Sequence, residues 1–444
     1  MQNFGCRATQ SDGAELERQF ASRGLTAAEN AAQADVVVLN TCTVTAAADK
    51  DARAAVRRVH RENPAAKIVV TGCYAQRAPE EIAGLQGVSA VVGNSHKHRL
   101  AELVMPTPIA QHFVPLTALS APDIFVSDIF AHTELLAAPV FESDLSHSER
   151  TRPNLKIQDG CDNRCSFCVI PYVRGESRSL PLARVLAEVN ALVAHGYREV
   201  VLSGINLGRW GRDFGKAYRF ENLIRTILAE TALEKLRLSS IEPMDWTDEL
   251  IELVAGSPRI AKHVHAPLQS GADRVLRAMH RKYRPWHYTE RIRKARAAMP
   301  SAAIGADVMV GFPGETDELF DESRAFIQSL PFTYLHVFTY SPRPGTPAAD
   351  MPQQVPENAK RERNRILREL AAEKGRSFRA SFVGREVEAI TLARGANDWT
   401  EALTDNYLKL RLAGAHAANQ WLRARVEAVT GDGLRGAQRI PHML

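Results

Sequence analysis

The six cysteines of this chain fall into two groups of three. One group is compact and forms a C-x3-C-x2-C run: Cys161, Cys165 and Cys168. The other is dispersed over the first 73 residues: Cys6, Cys42 and Cys73. Three thiolates hold three irons of a 4Fe–4S cluster, whereas a cluster ligated only by protein takes four. Each triad therefore predicts a cluster whose fourth iron is open to a ligand that is not protein, and open metal positions carry chemistry.

Three plainer interpretations of the cysteines fit less well. Disulfides are typical of short secreted chains, and the first ten residues, MQNFGCRATQ, do not resemble a signal peptide. Structural zinc prefers four ligands in pairs such as C-x2-C, and the compact run has no histidine nearby. Buried, inert cysteines are common, but six in this arrangement are not expected by chance. The cysteines thus favour iron–sulfur chemistry.

Length and composition set the class of protein. A chain of 444 residues has room for two or three domains, each with its own core. The hydrophobic fraction of 45% and the charged fraction of 24% are ordinary for a globular protein. No apolar run approaches the roughly 18 residues of a membrane span. We therefore expect no membrane association and, given the free thiols, a reducing cytoplasm.

The positive charge of the chain lies at its C-terminal end. The net charge is +5, and residues 360–444 hold 16 Lys or Arg against 10 Asp or Glu. The rest of the chain is therefore nearly neutral, and the basic end predicts contact with a polyanion. Within this region, the segment 360–370 is interpreted as the solvated face of a helix.

The first 105 residues alternate strand and helix patterns. Asp35–Asn40 and Lys67–Gly72 are β-branched runs that end at turn residues, as buried parallel strands do. Helical patterns follow them at Ala46–Glu62 and Pro79–Leu85. The chain begins five residues before Cys6, so any first strand is very short. Because parallel strands present their carboxyl ends at one edge, we expect the three dispersed cysteines to converge there.

A second, longer alternation occupies residues 151–375, after a linker or entry segment at 106–150. Helical patterns such as Leu182–Gly196 and Asp317–Leu330 separate its strands. Six strands are predicted: Asn154–Gln158, Glu199–Gly204, Lys235–Ser240, His263–Leu268, Gly305–Gly311 and Tyr334–Tyr340. Six strand–helix repeats predict a partial parallel barrel with its site at the carboxyl ends of the strands. The compact triad directly follows the first of these strands.

The remaining residues, 376–444, carry short β-like runs separated by glycines. The runs are Phe382–Ile390, Tyr407–Leu412 and Leu422–Gly433. They predict a small all-β barrel. Its aromatic residues Trp399 and Trp421, together with Tyr407, are of a type that stacks on nucleic-acid bases, but we expect them in the barrel core.

An open iron suits S-adenosylmethionine, whose amino and carboxylate groups chelate it. Electron transfer into the sulfonium then releases a 5′-deoxyadenosyl radical, and the protein must position and shield that cofactor. Polar groups or a flexible glycine follow four of the predicted barrel strands: Asn206, Ser240, Glu242, Gln269 and Gly311. Together they are candidates for binding S-adenosylmethionine or the substrate; a structural role for each is equally compatible with its type.

Taken together, these motifs resemble the radical-SAM methylthiotransferase family over essentially the whole chain. The C-x3-C-x2-C run after a barrel strand is the radical-SAM signature, and three upstream cysteines in an α/β domain mark the methylthiotransferases. The tail resembles the TRAM domain, an RNA-binding barrel. Four segments look like the MtaB type of the family: 40–45 (NTCTVT), 72–76 (GCYAQ), 160–175 (GCDNRCSFCVIPYVRG) and 204–211 (GINLGRWG).

The resemblance implies a fold, a reaction and ligands. The fold would be an α/β methylthiotransferase domain at 1–105, a partial (β/α)6 radical-SAM barrel at 151–375 and a TRAM-like barrel at 376–444. The reaction would convert N6-threonylcarbamoyladenosine at tRNA position 37 to its 2-methylthio derivative. One S-adenosylmethionine would donate the methyl group and a second would generate the radical that abstracts hydrogen from adenine C2.

The same resemblance implies a role for each cysteine triad. The compact triad, Cys161, Cys165 and Cys168, would hold the 4Fe–4S cluster that binds S-adenosylmethionine. The dispersed triad, Cys6, Cys42 and Cys73, would hold an auxiliary 4Fe–4S cluster that carries the sulfur. A flavodoxin- or ferredoxin-like electron donor and a monomeric state are expected.

Two other functions stay open at this point. Related enzymes perform the same reaction on N6-isopentenyladenosine of tRNA or on an aspartate of a ribosomal protein. An iron–sulfur protein that binds RNA without catalysis is the alternative from a different class.

Overall fold

The computed structural model describes residues 1–104, 122–132, 134–136, 151–215, 217–396 and 398–438. Most of the predicted linker at 106–150 therefore lies outside the described residues. The described chain divides into two compact units. The first comprises residues within 1–140, 156–180 and 341–349, and the second comprises residues within 141–155, 181–340 and 350–444.

A five-stranded parallel sheet forms the centre of the first unit. Its strands lie in sequence order: β1 (Gln2–Asn3), β2 (Val36–Thr41), β3 (Lys67–Gly72), β4 (Val88–Gly93) and β5 (Asp123–Phe125). The helices are α1 (Arg7–Ser22), α2 (Ala46–Glu62), α3 (Cys73–Arg77), α4 (Pro79–Ala83) and α5 (Leu100–Val104). Short 3₁₀ turns lie at Ala31–Gln33, Lys97–Arg99 and Ile129–Ala131. The predicted α/β domain with a very short first strand is confirmed.

Both faces of this sheet are buried, which explains its uninterrupted β-branched runs. Alternate residues of a strand point to opposite faces. Val37 and Ile68 belong to one hydrophobic cluster with the α2 side chains, whereas Val38 and Val69 belong to a second cluster with Leu16 of α1. A strand covered by helices on both sides needs apolar residues at every position.

The first unit also contains the segment that carries the compact cysteine triad. Strand β6 (Asn154–Asp159) belongs to this unit from Lys156 onward, and α6 (Ile170–Arg174) follows the triad. The two-residue strand β7 (Arg178–Ser179) then pairs antiparallel with the end of β6. Residues 341–349 complete the unit.

The second unit contains the other five strands predicted for the central domain, each flanked by helices. They are β8 (Glu199–Gly204), β9 (Lys235–Leu238), β10 (His263–His265), β11 (Ala303–Val310) and β12 (Tyr334–Thr339). β8 pairs with β9, and β10, β11 and β12 pair in that order, all in parallel. A single parallel bridge joins Leu236 of β9 to Ile260, three residues before β10. The helices are α7 (Leu182–Ala194), α8 (Phe220–Glu230), α9 (Asp248–Gly256), α10 (Asp273–Ala278), α11 (Pro285–Ala298), α12 (Asp317–Ser329) and α13 (Glu357–Ala380). Further 3₁₀ turns lie at Leu207–Arg209, Arg212–Phe214, Pro243–Asp245 and Pro347–Ala349.

The chain ends in a closed five-stranded barrel, as predicted. Its strands are β13 (Glu386–Ala396), β14 (Trp399–Thr404), β15 (Lys409–Ala413), β16 (Trp421–Val429) and β17 (Leu434–Gln438). The barrel core consists of aliphatic residues together with Phe382. Trp399 and Trp421 are only partly buried and Tyr407 is exposed, so their expected place in that core is wrong. Aliphatic residues suffice to fill so narrow a barrel.

Helix α13 confirms a second expectation only in part. The segment 360–370 has the expected solvated face, with positions 361, 362, 365, 368 and 369 exposed, but Lys360, Arg363 and Leu367 on its other side are buried. Arg363 donates to Glu315 and Asp317, at 2.8 Å in each case, and the ammonium of Lys360 lies over the ring of Tyr340. These cations are buried because each has a partner that replaces water.

Candidate functional site

The dispersed cysteines Cys6, Cys42 and Cys73 converge at the carboxyl edge of the first unit's sheet. Thr41 and Gly72 are register partners at the ends of β2 and β3, so the cysteines that follow them start from adjacent points. At Gly5, with φ +108°, a Cβ atom would lie 2.5 Å from the Cβ of Cys42. Glycine at this position therefore lets the backbone beside Cys6 pack directly against Cys42.

Burial and mutual proximity change the acidity of these thiols. Burial, and after it the neighbouring thiol of Cys73, raises the pKa of Cys42 to about 11. Cys6 adds to the same effect, and Arg174 opposes it. Three thiols close enough to influence one another, with a cation beside them, fit a metal cluster because thiolate ligands need positive charge nearby.

The compact triad, Cys161, Cys165 and Cys168, lies on a loop that is folded back on the residues after α6. The amide of Cys161 donates to the carbonyl of Gly175 at 3.0 Å, and the amide of Cys168 donates to that of Cys165 at 3.1 Å. Gly160, with φ +71°, leaves no space for a side chain, since a Cβ would lie 1.8 Å from the carbonyl oxygen of Glu176. The three thiols are partly exposed.

The two triads lie in the same compact unit. Cys73 packs in one hydrophobic cluster with Val169 and Val173, which directly follow the compact triad. Asn94 strengthens this contact, because its side-chain amide donates to the Val173 carbonyl at 2.6 Å and lies 3.6 Å from the sulfur of Cys73. The helix that follows one triad is thus anchored to a cysteine of the other.

Residues 341–349 contact both cysteine-bearing regions. Arg343 pairs with Asp49 of α2, and Ser341 accepts a hydrogen bond from the first amide of that helix at 3.2 Å. The amide of Ala348 donates to the carbonyl of Ser166, inside the compact triad, at 2.8 Å. This role could not be predicted from the sequence, because residues 341–349 have the composition of an ordinary Pro- and Gly-rich turn.

A buried ionic network, which the sequence analysis missed, lies beside the triads. It consists of Asp12, Lys97, Lys156, Asp159 and Arg174. Although burial raises the pKa of Asp12, the cations Lys156, Lys97 and Arg174 outweigh it and hold that pKa at about 2. The pKa of Asp159 is likewise far below its usual range, because Arg174 and Lys156 outweigh its burial. Both carboxylates are therefore charged at neutral pH.

The five candidate residues for S-adenosylmethionine or substrate lie in the second unit, near the carboxyl ends of strands β8 to β11. Asn206 is buried, whereas Ser240 is exposed. Glu242 pairs with Arg281. Gln269 has a left-handed backbone, with φ +65°. The space beside Gly311 is filled by the stem of Lys360, and the Gly311 amide donates to Glu315 at 2.6 Å.

The same unit carries a polar face that the sequence analysis did not single out. The hydroxyl of Tyr334 lies 2.7 Å from Nε2 of His263 and 2.8 Å from Nδ1 of His265. His265 is 3.2 Å from Asp307 and stacks against His336. We name this set the His–Tyr face: His263, His265, Asp307, Tyr334 and His336.

A glycine makes the His–Tyr face possible. Gly305 is the register partner of Tyr334, and a Cβ at this glycine would lie 1.9 Å from the Tyr334 ring. The missing side chain lets the ring lie across β11 and reach the histidines of β10. Phe338, on the same side of β12 as His336, is 49% exposed, which provides an aromatic surface next to polar groups.

The C-terminal barrel carries exposed arginines on its outer surface. Arg411 and Arg435 are register partners on adjacent strands and both are exposed. The guanidinium of Arg411 lies 4.0 Å from the centre of the Trp399 ring. Cations beside an aromatic ring are the combination that single-stranded nucleic acids bind.

Tyr407 does not belong to this outer surface. Its ring packs on His263, and the guanidinium groups of Arg152 and Arg237 lie over it at 5.7 and 5.2 Å. The loop between β14 and β15 thus inserts Tyr407 among residues of the strand–helix part of the unit.

Among the described residues, no group of three or more His, Cys, Asp or Glu side chains is placed to share a single metal ion. A 4Fe–4S cluster makes a different demand, because each of its three thiolates binds a separate iron. No described helix is both long and apolar enough to cross a membrane.

Two family models match the chain. Residues 1–93 match the uncharacterized protein family UPF0004, and residues 155–327 match the radical SAM superfamily. The two matches contain the dispersed and the compact triad, respectively.

Curated relatives match almost the full length. The threonylcarbamoyladenosine tRNA methylthiotransferase MtaB of Aquifex aeolicus is 36% identical, over 96% of this chain and 99% of its own. That of Bacillus subtilis is 38% identical, over 93% and 89%. The tRNA-2-methylthio-N(6)-dimethylallyladenosine synthase of Thermobifida fusca is 35% identical, over 88% and 77%.

Among solved structures, the fold is similar to that of the radical S-adenosylmethionine methyltransferase TsrM of Kitasatospora setae. The TM-score is 0.54 at 16% identity, over 78% of this chain and 74% of that one. This likeness shows a shared radical-SAM fold. The N-terminal match, the central match and the near-complete relatives together establish that the chain belongs to the radical-SAM methylthiotransferase family.

Proposed function

We propose that this chain is a tRNA methylthiotransferase that converts N6-threonylcarbamoyladenosine at position 37 to its 2-methylthio derivative. The observation that carries the proposal is the presence of both cysteine triads in one compact unit, where Cys73 packs against the helix that follows Cys168. Replacing a C–H bond by a C–S bond requires a radical source and a sulfur source near each other. The two triads supply a site for each.

In this proposal each triad holds a 4Fe–4S cluster. The dispersed triad (Cys6, Cys42 and Cys73) binds the auxiliary cluster, and the compact triad (Cys161, Cys165 and Cys168) binds the cluster that chelates S-adenosylmethionine. When bound, these groups supply the adenosyl radical and the methylthio sulfur. The thiol chemistry, the packed glycines at positions 5 and 160 and the cation at Arg174 support this assignment.

The chain's own residues position and shield these groups. Buried Cys42 and Cys73 keep one side of the dispersed triad dry, since their side chains are 6% and 2% exposed. Asn94 fixes α6 against Cys73. At the strand ends of the second unit, Asn206, Ser240, Glu242, Gln269 and Gly311 remain the proposed contacts for S-adenosylmethionine or substrate.

The C-terminal barrel is proposed to bind the tRNA. Its support is the pair of exposed arginines Arg411 and Arg435 beside Trp399. The basic excess of residues 360–444 lies mainly in α13, because residues 386–438 of the barrel hold six Lys or Arg against seven Asp or Glu. Phosphate contacts release counterions, so affinity should fall steeply as salt rises. We further propose that the protein acts as a monomer with domains at 1–105, 151–375 and 376–444, and receives electrons from a flavodoxin- or ferredoxin-like protein.

The choice of threonylcarbamoyladenosine as the substrate is supported by the similar proteins and by the amino-acid sequence of one short segment. The chain spans 99% and 89% of the two MtaB relatives but 77% of the dimethylallyladenosine relative. The segment GINLGRWG after β8 resembles the MtaB type. The dimethylallyl nucleoside is the second candidate, because its relative is 35% identical.

Mass spectrometry of tRNA nucleosides tests the reaction and substrate together. In cells lacking the gene we expect 2-methylthio-N6-threonylcarbamoyladenosine to disappear and to return with the wild-type gene. Disappearance of the dimethylallyl counterpart instead would preserve the reaction and refute the substrate. If neither nucleoside changes, both tRNA substrates are refuted, and an aspartate of a ribosomal protein is the next substrate to test. Complementation with Cys42→Ala should fail, although the purified variant should still cleave S-adenosylmethionine.

A further inference from the structure

The buried ionic network does not balance its own charge. Asp12 and Asp159 supply two negative charges, whereas Lys97, Lys156 and Arg174 supply three positive ones. All five side chains are at most 8% exposed. A buried charge without a counter-charge costs several kcal/mol. The surplus of one positive charge therefore requires an anion close by.

The dispersed triad would supply that anion once its thiols bind a cluster as thiolates. Arg174 interacts electrostatically with Asp159, Cys73, Asp12 and Cys6, in that order, and its pKa is raised although burial opposes this. Lys97 also interacts with Cys73. Arg178, which interacts with Asp159, and Glu134, which lines the same small cavity, add one charge of each sign. The surplus thus faces the triad that is proposed to hold the auxiliary cluster.

The Nε of Arg174 is a hydrogen-bond donor that has no acceptor among the described residues. Its Nη1 donates to Asp159 at 2.9 Å and its Nη2 donates to Asp12 at 3.1 Å. The Nε atom is itself buried. A fully buried guanidinium whose Nε–H is unused suits an acceptor that arrives with the cofactor, such as a cluster sulfur.

We propose that Arg174 is the counter-charge of the auxiliary cluster and that, together with Asn94, it sets the reduction potential of that cluster. The inference rests on the proposed function, in which Cys6, Cys42 and Cys73 hold a 4Fe–4S cluster. An oxidised core of about +2 held by three thiolates carries a net charge of about −1, which matches the surplus of the network. Reduction adds a second negative charge, and a fixed cation favours that state.

Asn94 acts on the same cluster by a shorter route. Its amide lies 3.6 Å from the sulfur of Cys73, and hydrogen bonds to ligand sulfurs raise the reduction potential of iron–sulfur clusters. Both residues act through the cluster and its ligands, so they are positioning residues. Arg174 is the last residue of α6 and lies six residues after Cys168. One short segment therefore follows the compact triad directly and contributes Arg174 to the surroundings of the dispersed triad.

The test isolates the auxiliary cluster. In a chain with Cys161→Ala, Cys165→Ala and Cys168→Ala, anaerobic reconstitution should load one cluster, measured as iron and acid-labile sulfide. Its reduction potential is then followed by electron paramagnetic resonance in a redox titration. Arg174→Gln should shift the potential to more negative values, Asn94→Ala should shift it less, and Arg174→Lys should retain most of the wild-type value. Arg57→Gln, an exposed arginine of α2, is the matched control.

The outcomes separate the inference from the function on which it rests. A triple variant that loads no iron refutes the auxiliary cluster itself. If iron loads but Arg174→Gln and Arg57→Gln have the same reduction potential, the inference is overturned. The Nε of Arg174 would then donate to a water in the small cavity lined by Asn94 and Arg174. If Arg174→Gln does not fold, Asn94→Asp provides the measurement, because an added negative charge beside Cys73 must lower the potential. An unchanged potential in Asn94→Asp overturns the inference.

Discussion

Asp12→Asn is expected to destabilise the first unit strongly. Asp12 accepts from Lys97 at 3.0 Å and from Arg174 at 3.1 Å, and pairs with Lys156. Asparagine keeps the shape but removes the charge, and so leaves three buried cations with one carboxylate. Breaking a buried ion pair by removing one partner costs about 3–5 kcal/mol.

The pKa of Asp12 gives a second route to the magnitude. The network holds this pKa at about 2, against an ordinary value of 3.8. Each pKa unit corresponds to about 1.4 kcal/mol, so the charged form of Asp12 contributes roughly 2–3 kcal/mol. Because the folded-state pKa is the lower one, this contribution is complete above about pH 4 and is lost as the pH falls toward 2. Both estimates predict that Asp12→Asn lowers the free energy of unfolding by about 3 kcal/mol at pH 7.

Hydrogen exchange measured by mass spectrometry localises the effect. The amides of β2 and β3, whose side chains form the core of the first unit, should exchange about 100-fold faster in Asp12→Asn, since every 1.4 kcal/mol is tenfold. Tryptophan fluorescence reports on the second unit, because all five tryptophans lie there. Asp51→Asn, an exposed aspartate of α2, is the control. Exchange in Asp12→Asn within threefold of that control would refute the reasoning.

Three further variants test other parts of the molecule. Cys165→Ala should abolish cleavage of S-adenosylmethionine while tRNA binding in a filter assay persists; methylthiolated product from this variant would refute the cluster assignment. Gly305→Ala forces a Cβ to 1.9 Å from the Tyr334 ring and should lower the free energy of unfolding by about 3 kcal/mol, measured by urea unfolding with tryptophan fluorescence. The control Gly256→Ala, whose added Cβ would have nothing within 4 Å, should leave that free energy unchanged. Arg411→Ala should weaken tRNA binding and reduce the slope of log K against log salt by about 0.7–0.9; a slope equal to that of the control Arg57→Ala, on the exposed surface of α2 and outside residues 360–444, would argue against the barrel as the tRNA-binding surface.

Much of the architecture was readable from the sequence because helices cover both sides of the parallel sheets. Val36–Thr41 and Lys67–Gly72 are buried at every position after the first, and each contains an unbroken apolar run, VVVL or IVV, which distinguishes such strands from surface ones. Their ends are adjacent in a parallel sheet, so the convergence of Cys42 and Cys73 followed from topology alone.

The missed features are charged residues whose partners are distant in the chain. Lys360 and Arg363 were interpreted as solvated because charged residues usually are, and their buried partners Glu315 and Tyr340 could not be paired with them from sequence. Asp12 illustrates the same limit, since Lys156 follows it by 144 residues. Periodicity describes one element at a time and carries no information on such pairs.

A signal for the polar interior was nevertheless present in the strands. Strands of a parallel sheet covered by helices are expected to be apolar throughout, yet several of these strands carry a polar residue among apolar ones: Lys156, Arg237, His265, Asp307 and His336. Because alternate residues share a face, a polar residue whose immediate neighbours are apolar indicates a strand with one apolar and one polar side. Where such a residue is buried, as Lys156, Arg237 and His265 are, it needs a partner or a ligand to offset its burial. Polar positions inside otherwise apolar parallel strands are therefore the residues to examine first for a site, ahead of those in the loops that follow.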